Sequence, residues 1–153
     1  MIDLMLWLIE ERPQQVFSMG NRISTEGTGF RYNDFAACTM RMPSGLVARI
    51  VANFACVHRH QHVVRVYGTK GTFLYDDMGP RVHWTRDEAV AASPLNLPAL
   101  PADKGDLIPA FVSAVINDED IRGQTQAAFD GLSISAACDR TLQINGLEPV
   151  RYL

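Results

Sequence analysis

Three histidines at alternate positions, His58, His60 and His62, are the sharpest chemical signal in the chain. In an extended strand alternate side chains share a face, and three imidazoles on one face are suitable ligands for zinc. Arg59 stands among them and opposes a bound cation, and no fourth ligand is identifiable. The same residues also suit contact with a substrate, or a plain polar turn, because the segment bridges two strand-like runs. These three readings stay open, and no metal site is assigned. A second cluster, Phe30-Arg31-Tyr32-Asn33-Asp34, joins aromatic, guanidinium, amide and carboxyl groups. It suits a polyhydroxylated ligand and equally the end of a hairpin. The carboxylate groups Glu10-Glu11, Asp76-Asp77 and Asp118-Glu119-Asp120 read as solvated element ends rather than acid/base pairs. Gly68-Thr69-Lys70-Gly71 is a β-turn, since a phosphate loop needs a longer spacing and a helix after it. There is no G-x-G-x-x-G to hold a dinucleotide.

The elements that must position these groups are mostly strands. Residues 3–11 predict a helix, capped by Asp3, with Leu4/Leu8 and Met5/Ile9 as apolar stripes and Pro13 ending it. Strands are expected over 15–25, 33–42, 46–57, 62–67, 72–76 and 81–86. The turn Pro43-Ser44-Gly45 makes the second and third of them an antiparallel hairpin. In the run 46–57 the even positions Leu46, Ala48, Ile50, Ala52, Phe54 and Cys56 are all apolar, which predicts one fully buried face. The odd positions are mixed, so the other face is only half-apolar. Residues 88–105, with three prolines, read as a surface excursion. Asp106–Asn117 predicts a helix capped by Asp106, with Leu107, Ala110, Phe111, Ala114 and Val115 inward. A longer helix follows over 124–144, with Phe129, Leu132, Ala136 and Ile144 inward, and 149–153 adds a short edge strand. Helix, about six strands, then two helices is an α+β order: a large, mainly antiparallel sheet with helices on one face. The other face is left available for dimerisation, with Arg49, Asn53, Arg65 and Tyr67 upon it.

The 153 residues suit one domain, 1–153, with one core. A net charge of −3 with no basic run argues against nucleic acid or an anionic membrane as partner. The longest apolar run, Leu4–Ile9, is too short to span a bilayer. Cys38, Cys56 and Cys138 each lie in an apolar run and read as buried, reduced thiols of a cytoplasmic protein, with nothing nearby to lower a thiol pKa. The chain begins almost inside a helix, which suggests a piece of a longer protein.

Several stretches resemble one family. They are Ile2-Asp3-Leu4-Met5-Leu6-Trp7-Leu8, the strand end Ala52-Asn53-Phe54, the hairpin Val66-Tyr67-Gly68-Thr69-Lys70-Gly71-Thr72-Phe73, and the helix with Phe111, Ala114 and Val115. Their order and spacing are similar to the C-terminal domain of the Gfo/Idh/MocA oxidoreductases, over nearly the whole chain. The resemblance implies an N-terminal Rossmann domain, missing from this chain, that binds NAD or NADP. It implies a large sheet with one face on helices and the other on a second subunit, and a sugar-type substrate held between domains. It also implies hydride transfer from a carbinol carbon to the nicotinamide, with a base taking the hydroxyl proton. In that family a histidine of a G-x-H-x-x-D run often moves the proton. Asp3 matches its aspartate, so the histidine would fall just before Met1, and the lysine of the family's E-K-P motif is absent too. The expectation is therefore a substrate-binding and dimerisation domain with no catalytic residue of its own, no bound cofactor and no dehydrogenase activity alone. Asp3, Arg31, Tyr32, Asn33, His58 and His60 are the candidate substrate contacts. The histidine-rich segment is similar to members acting on nucleotide-linked sugars. Two alternatives stand: a non-catalytic assembly module using the open sheet face, and a metal-binding protein using His58, His60 and His62.

Overall fold

The computed structural model describes residues 1–98, 105 and 107–153. In chain order the elements are α1 (Ile2–Ile9), β1 (Gln15–Asn21), β2 (Phe35–Arg41), β3 (Val47–Asn53), β4 (Val64–Tyr67) and β5 (Thr72–Tyr75). They continue with β6 (Arg81–His83), β7 (Ser93–Pro94), α2 (Leu107–Ile116), α3 (Arg122–Ile144) and β8 (Glu148–Pro149). The strands form two four-stranded sheets, β3-β2-β1-β8 and β4-β5-β6-β7, and every pairing is antiparallel. The α+β class and the antiparallel pairing agree with the sequence, while the strands divide between two sheets. The chain correspondingly splits into two compact units, 1–56 with 113–153, and 57–112.

In the first unit α3 packs along β1 and β8, and α1 packs on α3. Alternation decides which side chains meet them. Val16 and Ser18 of β1 and Cys38 and Met40 of β2 are buried, and with Met5, Met42, Ile134 and Ala137 they make the core. The register pairs Val16 with Met40 and Ser18 with Cys38, so the two strands present one continuous inward row. The opposite face carries Met19, Val47 and Val51, which are 62%, 62% and 47% exposed. Arg49 and Asn53 lie on that face and are exposed as expected.

Several details differ from the sequence reading. The run 46–57 has no fully buried face: only Ala48 and Ile50 are half-buried, and Phe54 and Cys56 are exposed. The reason is position, for β3 is the edge of its sheet and the chain leaves it after Asn53 in a series of bends. On α3 the inward residues are Asp130, Ser133, Ile134, Ala137 and Thr141. Phe129, Leu132, Ala136 and Ile144 point outward. The inward stripe is small in volume, which lets the helix approach β1 closely while the core methionines fill the gap. The first helix begins at Ile2 with Met1 as N-cap and no side-chain cap, so Asp3 sits in the first turn rather than capping it. A carboxylate there still suits the helix dipole. Met5 and Ile9 face the core, whereas Leu4 and Leu8 are exposed. Along α2 only Ala114 is buried; Ala110, Phe111 and Val115 are exposed. The Asp106 cap lies outside the described residues.

In the second unit the turn Gly68–Gly71 is closed by the Gly68 N–H donating to the Gly71 carbonyl at 3.0 Å. This confirms the β-turn reading. Gly71 also has a packing role: a Cβ there would meet the Trp84 ring at 3.1 Å. The stretch after Arg86 is more than an excursion, since Ser93–Pro94 pairs with β6. Arg65 and Tyr67 are exposed on β4.

Candidate functional site

The candidate residues fall in three places. Arg31, Tyr32 and Asn33 lie in the connection between β1 and β2, and Asn53 ends β3 at the same end of the sheet, where the register pairs it with Phe35. The connection has a defined base. Asp34 is 2% exposed, and its Oδ2 accepts from the Ser24 N–H at 2.9 Å, the Thr25 N–H at 2.8 Å and the Thr25 hydroxyl at 3.0 Å. Its own backbone N–H donates to Asn21 and its carbonyl accepts from Phe54. A buried carboxylate with three donors is the anchor of the loop. Arg22 donates to the Phe30 carbonyl, and the rings of Phe30 and Tyr32 meet edge-on at 6.0 Å between centroids. Asn33 is set by Gly20: a Cβ on Gly20 would lie 2.7 Å from the Asn33 Nδ2, so only glycine leaves room for the amide. Arg31 and Tyr32 remain exposed and free to meet a ligand. The Asn53 side chain is occupied at home, its Oδ1 accepting from the Ala55 and Cys56 N–H groups at 3.0 and 3.1 Å.

Asp3 is elsewhere in the same unit, on the helical layer. It stands on the ridge between two shallow grooves. One, of about 690 Å³, is formed by Met1 and Ile2 with Gln124, Ala128, Leu132 and Ser135 of α3. The other runs past Trp7, Glu11, Arg12 and Asp130. In it the Arg12 Nε meets the buried Asp130 Oδ2 at 2.6 Å, and the Gln126 amide donates to Oδ1 at 3.0 Å. The Arg12 guanidinium also lies over the Tyr152 ring, 5.4 Å from its centroid, and the Tyr152 hydroxyl donates to the Pro13 carbonyl. Burial, together with the Asp130 carboxylate, pushes the Tyr152 phenol up to about 12. None of the Arg31–Asn33 residues lines these grooves.

The histidines belong to the second unit and do not lie on a strand; residues 54–63 form bends and open coil. The convergence that an extended segment would impose is therefore missing. His58 Nδ1 donates to the Arg59 carbonyl at 2.8 Å, and its Nε2 is 3.3 Å from Asp77 Oδ2. Arg59 holds the other oxygen of Asp77 at 2.8 Å. This guanidinium keeps the Asp77 carboxyl below its ordinary range, with His58 adding to the effect. His60 and His62 face each other edge-on at 5.1 Å, apart from that clamp. No group of three or more His, Cys, Asp or Glu among the described residues is placed to hold a metal ion. Asp77 is the partner that a reading of sequence spacing missed, because it is separated from Arg59 by 18 positions.

The two antiparallel sheets and three helices among the described residues define an α+β fold. No pairing among the described residues is parallel, and the chain lacks the glycine fingerprint, so its own residues do not fit a nicotinamide dinucleotide. Residues 1–74 match the family model described as the GFO/IDH/MocA C-terminal domain. Comparison with curated proteins finds no match. Among solved structures the chain is similar to aldose-aldose oxidoreductase from Caulobacter crescentus complexed with glycerol. The identity is 16% and the TM-score 0.73, covering 97% of this chain and 44% of that one. It is similar to myo-inositol 2-dehydrogenase from Lactobacillus plantarum at 18% identity and TM-score 0.67, covering 98% and 46%. It is also similar to levoglucosan dehydrogenase in complex with NADH, at 17% identity and TM-score 0.70, covering 99% and 48%. At these identities the likeness establishes the fold. The chain spans less than half the length of these relatives. No described helix is long and apolar enough to cross a membrane.

Proposed function

We propose that residues 1–153 act as the substrate-binding and oligomerisation domain of an NAD(P)-dependent sugar oxidoreductase acting on CH–OH groups in the cytoplasm. The observation that carries this reading is the coverage. Nearly the whole chain superposes on a little under half of each of several sugar dehydrogenases, and the first 74 residues match the C-terminal domain of that oxidoreductase family. The remaining half of such an enzyme, a Rossmann domain, supplies the nicotinamide site and the proton-transfer histidine. In this chain Arg31, Tyr32 and Asn33 donate hydrogen bonds to sugar hydroxyls or a phosphate. Alternating donors and an aromatic face are the usual complement of a polyol.

The open face of β3-β2-β1-β8 is the proposed homodimer surface. Met19, Val47 and Val51 give it an apolar centre with Arg49 beside them, the distribution found at subunit interfaces. Arg65 and Tyr67 are assigned to subunit contacts of the second unit. The chain alone is expected to show no NAD(P)-dependent oxidation of myo-inositol or aldoses; turnover by it would refute the reading. Light scattering is expected to show a dimer, and Val51→Lys to weaken it at least about tenfold by placing a charge in an apolar contact. A wild-type chain that stays monomeric at high concentration removes the dimer proposal. Reading the gene upstream of Met1 is expected to give a strand–G-x-G-x-x-G–helix, an E-K-P and a histidine directly before Met1.

A further inference from the structure

Inside the first unit two cysteines separated by 100 positions meet. Cys38 Sγ of β2 and Cys138 Sγ of α3 are 2.8 Å apart, well inside the ordinary contact of two unbonded sulfurs. Both are free thiols. The third group at this point is Ser18, which the register sets directly opposite Cys38. Its hydroxyl is buried and is the one buried side-chain oxygen among the described residues that finds no hydrogen-bond partner. A buried hydroxyl in that condition is costly unless something accepts its proton. A thiolate beside it would.

We propose that Cys38 and Cys138 form a peroxide-reactive dithiol that closes into a disulfide joining β2 to α3. The asymmetry of the pair assigns the roles. The hydrogen bond from Cys138 pulls the Cys38 thiol down to about 7, against the opposing effect of burial, and the Ser18 hydroxyl favours the same charged form. The same contact, with burial, pushes Cys138 up, so it keeps its proton. Cys38 is thus the nucleophile and Cys138 the resolving thiol. Cys138 is half-buried and Cys38 keeps 8% exposure, so the pair is not sealed from a small oxidant such as hydrogen peroxide.

The chemistry balances in two steps. Cys38 thiolate attacks one peroxide oxygen, the O–O bond breaks, and the departing hydroxide takes a proton to become water, leaving a sulfenic acid on Cys38. The Cys138 sulfur, giving up its proton, then attacks the Cys38 sulfur; the S–O bond breaks and a second water leaves. Two thiols and one hydrogen peroxide become one disulfide and two waters, the sulfurs losing the two electrons that peroxide gains. A dithiol reductant reverses the change by exchange. Cys56 supplies an internal control, since it is exposed and its sulfur donates to the Asn53 carbonyl at 3.7 Å, away from the Cys38–Cys138 pair.

The test treats the 153-residue chain, kept in reductant and then desalted, with stoichiometric hydrogen peroxide, followed by alkylation and peptide mapping. The expected product is a chain with no covalent link to a second copy, lighter by about 2 Da before alkylation, the two hydrogens lost on oxidation. It should contain a peptide pair joined through Cys38 and Cys138, with Cys56 still alkylated. In Cys138→Ser the sulfenic acid is expected to persist on Cys38 and to be captured there by dimedone. A product oxidised at Cys56 alone, or cross-linked only between chains, overturns the proposal. So does a wild-type map without the Cys38–Cys138 link, a result that does not depend on the variant folding.

Discussion

The sheets β3-β2-β1-β8 and β4-β5-β6-β7 have the same strand count and the same antiparallel pairing, yet they are held by different means. The first has a helix laid along β1, and Val16, Met40 and Ile134 lose nearly all contact with water. The second has one buried apolar side chain, Val82 at 8% exposure. Its short strands are tied instead by polar clamps. Arg81 holds Asp76 through two bonds of 2.7 and 2.9 Å, and Arg59 holds Asp77. Strand pairing alone gives a sheet its shape, but covering a face gives it a core. The clamps are local and partly solvated, so each is weak.

That contrast can be broken or sharpened by measurement. The largest effect is expected from Ile134→Ala, which empties a site with no exposure and should cost about 3.5 kcal/mol. Native-state hydrogen exchange should show the loss in β1, β2 and α3 and leave β4–β6 unchanged. Next comes Val82→Ala, expected to cost about 1.5 kcal/mol, with faster exchange confined to β5 and β6. Equal loosening of β1 and β2 would mean that the two units unfold as one. The smallest effect is a pH dependence. The Arg81 guanidinium, helped by the Met78 N–H, holds the Asp76 carboxyl down to about 2, below the value of 3.8 it has when unpaired. A carboxyl depressed by folding stabilises the fold at pH above 3.8, and that contribution is lost as pH falls through about 2. Acid titration of β4–β6 exchange is therefore expected to steepen between pH 4 and 2 in the parent chain and to be flatter there in Asp76→Asn. An unchanged profile in the variant would remove the clamp from the account.

The same contrast explains what could be read from the sequence. Turns were legible because single residues dictate them: Gly45 at φ 89° ends the β2–β3 connection, and Gly68–Gly71 closes a hairpin. The hairpin that Pro43-Ser44-Gly45 makes of the second and third strands, and the α+β class that follows from the element order, were legible too. The faces of the helices were not. On α3 the bulky residues Phe129, Leu132 and Ile144 attract an inward assignment, but close approach to β1 selects the small stripe of Ser133, Ala137 and Thr141. Periodicity shows that a helix has two faces and does not show which one a sheet needs. At the candidate site, spacing identified Arg31, Tyr32 and Asn33 as a group but gave no sign that Gly20, more than ten residues earlier, makes room for Asn33. At the histidines the spacing left strand and turn both open, and the backbone takes the turn. The pairing of Cys38 with Cys138 depends on which face of α3 meets β2, so it became visible only with the fold.

Asp34 fastens the foot of the β1–β2 connection, while Arg31 and Tyr32 stand above it in water. A descendant of this chain could therefore rewrite residues 26–32, lengthening them or exchanging their charges, and keep its strands in register. Change would then gather at the crown of the loop, with the architecture beneath inherited intact.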